Sequence, residues 1–200
     1  MSSNVVRLSG LAAMLGGMLG TVVSPILAHL WDTYWFSPIL EQLMDTYSYA
    51  YTTYGRLYFL SLPPELLGLY ALRRLRGAGL GAQERWGFRL SLVGMWLAVL
   101  GVFTDYWVPL PPGFFLVLAG TPFMVVGFLL LSVGLRRAGA VPRWVALIML
   151  GAAVGTIPVM FFVLFHVPSG PLLLFHVVWV ALGYVLWSSK GRLGLAALPR

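Results

Sequence analysis

The sequence is poor in charged residues and contains no cysteine. Of its 200 residues 10% are charged, with 6 acidic and 13 basic side chains. Soluble domains carry about 25% charged residues, so the composition excludes an ordinary soluble enzyme or binding domain. The lack of cysteine excludes disulfides, thiol catalysis and thiolate metal sites. The GxSxG, HExxH and phosphate-loop motifs are also absent, so no nucleophile or nucleotide site is indicated.

Long apolar runs are what the sequence has instead. Hydrophobic residues make up 60% of the chain, and runs of roughly 18 or more are typical of transmembrane helices. The first run follows Arg7 without a small-residue cleavage site, so it is interpreted as an uncleaved helix. The predicted fold is all-α, a single domain (1–200) forming a polytopic bundle of six transmembrane helices. Their predicted bounds are about 8–30, 51–75, 86–108, 114–135, 144–166 and 172–188.

The segment 31–50 is the longest predicted loop, and its pattern favours a short amphipathic helix on the outer membrane surface. Ser37 and Pro38 are typical of a helix start, with the serine as cap and the proline in the first turn. Apolar residues then recur on one face and acidic residues on another.

The basic residues predict the orientation of the helices. With both termini in the cytoplasm, 12 of the 13 Lys and Arg residues fall on the cytoplasmic side, and only Arg56 lies near the outer face. This asymmetry follows the positive-inside rule and explains the net charge of +7 without nucleic acid. The expected partner is the lipid bilayer, and a homo-oligomer or a membrane partner is a further candidate. The arginines could hold anionic lipid headgroups, but their role in topology already accounts for them.

Two pairs of glycines lie four residues apart. Gly16 and Gly20 fall in the first helix, and Gly151 and Gly155 fall in the fifth. Small residues at this spacing let a second membrane helix approach closely. The alternative is that glycine is simply common in membrane helices.

The Pro63-Pro64-Glu65 sequence lies inside the second predicted helix. A carboxylate at membrane depth is costly and indicates a functional site by default, and a broken helix with a carboxylate is typical of transporter ion sites. The hypothesis is a substrate or ion site formed by Glu65, Pro63, Pro64 and Arg56. In the alternative interpretation Pro-Pro-Glu begins a helix, where the acid favours the N-terminal dipole.

All three histidines fall near the predicted outer side, where Asp105 also lies. His29, His166 and His176 together with Asp105 could bind a divalent metal, and an open position on that metal could activate water. Ligation of haem by two histidines is a weaker variant of the same idea. The alternative is that they are boundary residues, in which case no cofactor is predicted.

The segments 67–86 and 126–144 are similar, since both combine paired arginines, a glycine-rich turn and a following Arg-Trp. They record either a duplicated hairpin or the common needs of short cytoplasmic turns. The segment 135–144, with Arg7-Leu8-Ser9-Gly10-Leu11, resembles a broad group of small bacterial six-helix membrane proteins that have no established activity. The resemblance implies the bacterial inner membrane as location and implies no chemistry.

Three function hypotheses follow. The leading one is binding or transport of a small molecule or ion near Glu65. The second is a membrane-embedded, metal-dependent hydrolase at the outer face. The third is a non-catalytic membrane subunit or sensor. An enzyme is therefore not the first expectation.

Overall fold

The described part of the chain consists of helices joined by short turns. The computed structural model describes residues 3–35, 40–108, 113–163 and 170–188, and no strand occurs in them. A short 3-10 turn covers Gly77–Gly79. The all-α prediction is confirmed. The α-helices are α1 (Ser3–Trp35), α2 (Leu40–Phe59), α3 (Leu62–Arg76), α4 (Ala82–Trp107), α5 (Gly113–Arg137), α6 (Arg143–Val163) and α7 (Gly170–Ser188).

Helices α1, α4 and α5 contain segments long and apolar enough to cross a membrane, namely Asn4–Leu30, Ala82–Trp107 and Gly113–Arg137. Shorter apolar segments, Arg143–Val159 and Leu172–Ser188, lie in α6 and α7. Large apolar side chains such as Leu8, Leu15, Val22 and Phe115 are exposed on the outside of the bundle. An apolar surface of this kind fits lipid contact better than water. Three helices of the described chain are thus compatible with a membrane protein, while six crossings and cytoplasmic termini remain predictions.

The predicted helix 51–75 is two helices in the structure. Helix α2 ends at Phe59, and α3 begins at Leu62. Proline has no backbone donor, so Pro63 and Pro64 cannot continue a helix but fit its first turn, which is where they lie in α3. The prediction of one kinked helix was therefore wrong. The alternative, in which Pro-Pro-Glu begins a helix, describes the local geometry.

The predicted outer loop 31–50 is also largely helical. Helix α1 continues to Trp35, and α2 starts at Leu40 and runs to Phe59 without a break. A short separate helix is therefore wrong, because the helix continues for about three further turns beyond the predicted amphipathic stretch. The proposed Ser37-Pro38 start lies outside the described residues, and the position of this segment relative to a membrane stays a prediction.

Helices α4 and α5 pack at the closest distance that backbones allow. Their glycines recur every seven residues, which keeps them on one face of each helix. A Cβ atom on Gly94 would lie 2.7 Å from the carbonyl oxygen of Gly120, and a Cβ atom on Gly120 would lie 2.7 Å from that of Gly94. Only glycine permits this approach. The glycines of the two facing rows are Gly87, Gly94 and Gly101 on α4 and Gly113, Gly120, Gly127 and Gly134 on α5.

Helices α1 and α7 form a second close pair. A Cβ atom on Gly10 would lie 2.9 Å from the carbonyl oxygen of Gly183, and one on Gly183 would lie 2.6 Å from that of Gly10. Seven residues further along α1, Gly17 lies against the backbone of His176, with 2.6 Å from its Cβ position to the carbonyl oxygen. Position 176 is seven residues before Gly183 and therefore lies on the same face of α7. At this position, where a row of glycines would have its next member, the chain has a histidine.

The two predicted glycine pairs behave differently. Gly16 packs against α3, where its Cβ position is 2.6 Å from the carbonyl oxygen of Ser61, and Gly20 packs against the ring of His176. These two glycines therefore do permit close packing. In the other pair, Gly151 has nothing within 4 Å of its Cβ position, and Gly155 meets only the flexible end of Leu174 at 3.0 Å. Close packing through Gly151 is thus absent among the described residues.

Candidate functional site

Polar side chains from four helices meet inside the bundle. Glu65 of α3 and His176 of α7 are 1% and 0% exposed, and Nδ1 of His176 lies 2.6 Å from Oε1 of Glu65. The other ring nitrogen, Nε2, lies 3.0 Å from the hydroxyl of Tyr58 on α2. Ser24 of α1 lies beside Tyr58, but its buried hydroxyl makes no hydrogen bond of good geometry among the described residues. The result is a continuous carboxyl–imidazole–phenol array.

The break between α2 and α3 positions two of these groups. Tyr58 lies in the last turn of α2 and Glu65 in the first turn of α3. The backbone N–H of Ser61 and its hydroxyl both donate to the carbonyl oxygen of Tyr58, at 3.0 and 2.6 Å. They replace the bond that the N–H of Leu62 would donate to this oxygen in a continuous helix. They also fix the corner, so that Tyr58 and Glu65 approach the same imidazole from opposite ring edges.

His176 is held in place by the small residues of α1. The imidazole lies directly on Gly20, where any Cβ atom would overlap the ring. The ring of Tyr58 meets that of His176 edge-on, with centroids 5.2 Å apart. Leu62, Met95, Ala98, Met124, Leu172 and Phe175 close the space around Glu65 and His176. The site is therefore closely packed, and the space beside the carboxyl group is too small for a water molecule.

The array has two distinct hydrogen-bonding states. If the imidazole is neutral and Glu65 is ionised, Nδ1–H donates to Glu65 and the Tyr58 hydroxyl donates to Nε2. If the site holds one more proton, Nε2–H donates to the Tyr58 oxygen instead. The proton on Nδ1 is then shared across the 2.6 Å contact of Glu65 and His176. One proton therefore reverses the Tyr58–His176 hydrogen bond without moving a heavy atom.

A small second cavity extends the array toward Asp105. It has a volume of about 10 Å³ and is lined by groups that include Tyr58, Asp105 and Tyr106. A water molecule needs about this much space and at least two polar partners. Asp105 is half-buried and accepts a hydrogen bond from the backbone N–H of Phe114, at the start of α5. Gly113 lies against this carboxyl group, which leaves no room for a side chain.

The four residues of the predicted substrate or ion site do not all lie together in the structure. Glu65 lies in the array, with Pro63 and Pro64 beside it in the first turn of α3. Arg56 does not join them, because its exposed side chain donates from Nε to the carbonyl oxygen of Tyr106 at 3.3 Å. Its guanidinium also lies 5.0 Å from the ring centroid of Trp107. The array is thus formed without a cation from arginine.

The four predicted metal ligands are divided in the same way. His176 engages both ring nitrogens with Glu65 and Tyr58, whereas His29 is exposed on α1. His166 lies outside the described residues. Within those that are described, no group of three or more His, Asp or Glu side chains is arranged to hold a metal. The metal hypothesis therefore stays a prediction.

Sequence reasoning missed Tyr58, Ser24 and the contact between Glu65 and His176. No sequence motif singled out Tyr58, which is 1% exposed in the structure. Glu65 and His176 are 111 positions apart, so no local pattern links them. The one available signal was the seven-residue spacing of His176 from Gly183, which places the histidine on the face that meets α1.

Comparison with known proteins adds no assignment. No family model, curated protein or solved structure matches this chain. The resemblance to small bacterial six-helix proteins stays a prediction. Function must be argued from the site alone.

Proposed function

We propose that this is a multi-pass membrane protein that binds a proton at the Glu65–His176 pair and transfers it through Tyr58. The observation that carries the proposal is the buried 2.6 Å contact between the carboxyl group and the imidazole, continued at 3.0 Å to a phenol. Carboxyl and histidine chains inside membrane helices are typical of proton relays. The substrate of the leading hypothesis is thereby narrowed from a small molecule or ion to a proton.

The closeness of packing favours a proton over a larger ligand. The space beside Glu65 and His176 admits no water molecule, and the neighbouring cavity at Tyr58 has about 10 Å³. A metal or organic ion would have to displace side chains from α3, α4, α5 and α7. A proton needs only a hydrogen bond, which is already formed.

The chemistry of transfer follows from the two hydrogen-bonding states. Tyr58 gives its hydroxyl proton to Nε2 of His176 and takes another from the Asp105 carboxyl group or a water molecule in the cavity that both residues line, so the phenol is restored. The imidazolium is then stabilised by the Glu65 carboxylate. A buried unpaired charge is expensive, so the pairing lets the site hold the extra proton with little net charge. For net transfer the proton leaves from Glu65, on the side of the imidazole away from Tyr58, and this returns Glu65 and His176 to their first state.

The direct test is proton flux into vesicles. Purified protein is reconstituted with a trapped pH-sensitive dye, and a potassium gradient with valinomycin drives proton entry. The proposal expects Glu65→Gln to lower the flux to that of protein-free vesicles, because glutamine keeps the shape but cannot take up the proton. Tyr58→Phe is expected to slow the flux, since it removes the group that transfers the proton. Normal flux in folded Glu65→Gln protein contradicts the proposal.

Glu84→Gln is the matched control. Glu84 is a second buried carboxylate, 2% exposed, but it pairs with Arg76 at 2.8 Å, away from the array. Its replacement removes a buried carboxylate without touching the relay, so flux per folded protein should persist. Both variants are compared with the wild type for melting temperature.

Proton binding is measured separately by nitrogen NMR of protein labelled at histidine, with His176→Asn identifying the signal. Titration of His176 without any flux would select the third hypothesis, a membrane sensor.

A further inference from the structure

Three arginines surround one pocket at the α5–α6 turn. The pocket has a volume of about 410 Å³ and is lined by Val133, Arg136, Arg137 and Arg143. All three arginines are exposed. Like charges repel, so three guanidinium groups around one space form a site of strong positive potential unless an anion lies among them.

The backbone of the turn holds these arginines together. Gly139, at the end of α5, has a φ of 60°, a backbone conformation that favours glycine. Its backbone N–H donates to the carbonyl oxygen of Arg136 at 3.1 Å, and the N–H of Ala140 donates to that of Leu135 at 2.9 Å. This is the usual glycine-dependent end of a helix. Ala140 and Val141 are 4% and 6% exposed. The turn is thus anchored in the core, and the arginines cannot separate freely.

No acidic side chain neutralises this cluster within the described residues. Arg137 donates to the neutral amide oxygen of Gln83 at 3.0 Å. Arg136 and Arg143 have no ion-pair partner in the described part of the chain. The positive-inside rule explains why arginines occur in such a turn. It does not require that they converge on one pocket.

The similar turn between α3 and α4 carries its own anion. There Glu84 accepts from Nε and Nη2 of Arg76 at 2.8 and 3.1 Å and from the backbone N–H of Gly81 at 3.0 Å. Aligning Arg85-Trp86 with Arg143-Trp144 places Glu84 opposite Pro142. The second turn therefore has the cations of the first and lacks the carboxylate that pairs with one of them.

We propose that the pocket of Arg136, Arg137 and Arg143 binds the phosphate of an anionic lipid headgroup. Guanidinium groups match phosphate oxygens in geometry and can donate two parallel hydrogen bonds. Trp144 directly follows the cluster and is 45% exposed, as is typical of side chains at the headgroup level of a bilayer. A lipid phosphate is present at that level at high local concentration, so it is favoured over a free phosphate ion. The proposal is independent of proton transfer at Glu65.

The test is native mass spectrometry of the full chain from micelles with equal amounts of phosphatidylglycerol and phosphatidylcholine. The wild type should retain phosphatidylglycerol in preference to phosphatidylcholine. In the triple variant Arg136→Gln, Arg137→Gln, Arg143→Gln, the affinity for phosphatidylglycerol should fall by at least about tenfold. The reason is that each arginine near an anionic headgroup contributes to its binding.

The matched control is Arg73→Gln, Arg74→Gln, Arg85→Gln. It removes three exposed arginines from the α3–α4 turn, so the net charge is equal in the two triple variants. It should change phosphatidylglycerol binding less than about threefold, since any remaining effect is unspecific attraction. Equal losses in the two triple variants would overturn the proposal.

Added inorganic phosphate distinguishes the two sources of the anion. If millimolar phosphate displaces the lipid completely, or if the wild type shows no lipid preference while phosphate still raises its melting temperature, the pocket is a free-anion site and the lipid proposal fails. If phosphate leaves the lipid bound, the proposal stands. The melting temperature of each triple variant without lipid shows whether the turn has kept its fold.

Discussion

Helices α4 and α5 pack through glycines spaced seven residues apart, and the α1–α7 pair follows the same spacing with Gly10 and Gly17 on α1 but only Gly183 on α7. In the first pair every position of the row on α4 and on α5 is glycine, and backbones meet along its length. In the second pair Gly10 faces Gly183, but the next position of the α7 row is His176. The same packing scheme thus accommodates either backbone contact or one polar side chain.

The difference shows how a polar group is buried in an apolar bundle. At His176 the opposing helix provides Gly17 against the backbone and Gly20 under the ring. These two glycines make the space that the imidazole occupies. The break between α2 and α3 then provides Tyr58 and Glu65 as its hydrogen-bond partners. We interpret α4–α5 as the structural pair and α1–α7 as the pair that holds the site.

The largest expected effect comes from Gly94→Ala in the α4–α5 pair. Its Cβ atom would lie 2.7 Å from the Gly120 carbonyl oxygen and from the Met124 backbone nitrogen. Backbone atoms cannot move away by rotation about a side-chain bond, so the two helices must separate. We expect the free energy of unfolding to fall by about 3 kcal/mol or more, as measured by SDS titration in detergent. A loss below about 1 kcal/mol would contradict this close approach.

A medium effect is expected from His176→Phe in the α1–α7 pair. Phenylalanine fills the space of the ring but leaves Glu65 and Tyr58 without their partner, which should cost about 2 kcal/mol. The double variant Glu65→Leu, His176→Phe should recover most of this loss, because replacing a buried polar pair by apolar groups is often neutral or stabilising. Thermal unfolding of the wild type, each single variant and the double variant gives the coupling. No recovery would mean that the pair is needed for stability itself.

The smallest effect is expected from Gly151→Ala on α6. Nothing lies within 4 Å of its Cβ position, so the added methyl group meets no obstacle. Alanine is also the better helix former by roughly 0.5–1 kcal/mol. The variant should be as stable as the wild type or slightly more stable in the SDS titration used for Gly94→Ala. A clear destabilisation would indicate that α6 packs against a partner through this glycine.

Local patterns in the sequence predicted the helices better than the connections between them. Apolar runs identified α4, α5 and α7 within a few residues, because every backbone group in a bilayer must be paired within its helix. The Pro63-Pro64-Glu65 sequence indicated a disruption, and helix initiation was weighed only as the alternative. The four-residue spacing predicted close helix packing at Gly151, but nothing in the described structure lies within 4 Å of its Cβ position. The seven-residue rows on α4 and α5 were present in the sequence but were not recognised.

By itself the sequence determined that the chain is helical and apolar, that a carboxylate lies beside two prolines, and that arginines gather at the turns. Each of these depends on neighbouring residues, which a single sequence displays. Tertiary structure alone decided that Glu65 meets His176 across 111 positions, and that Arg136, Arg137 and Arg143 have, among the described residues, no acid such as the one Arg76 finds in Glu84. The physical reason is that such contacts depend on how closely helices approach, and this approach is set by glycines on other helices.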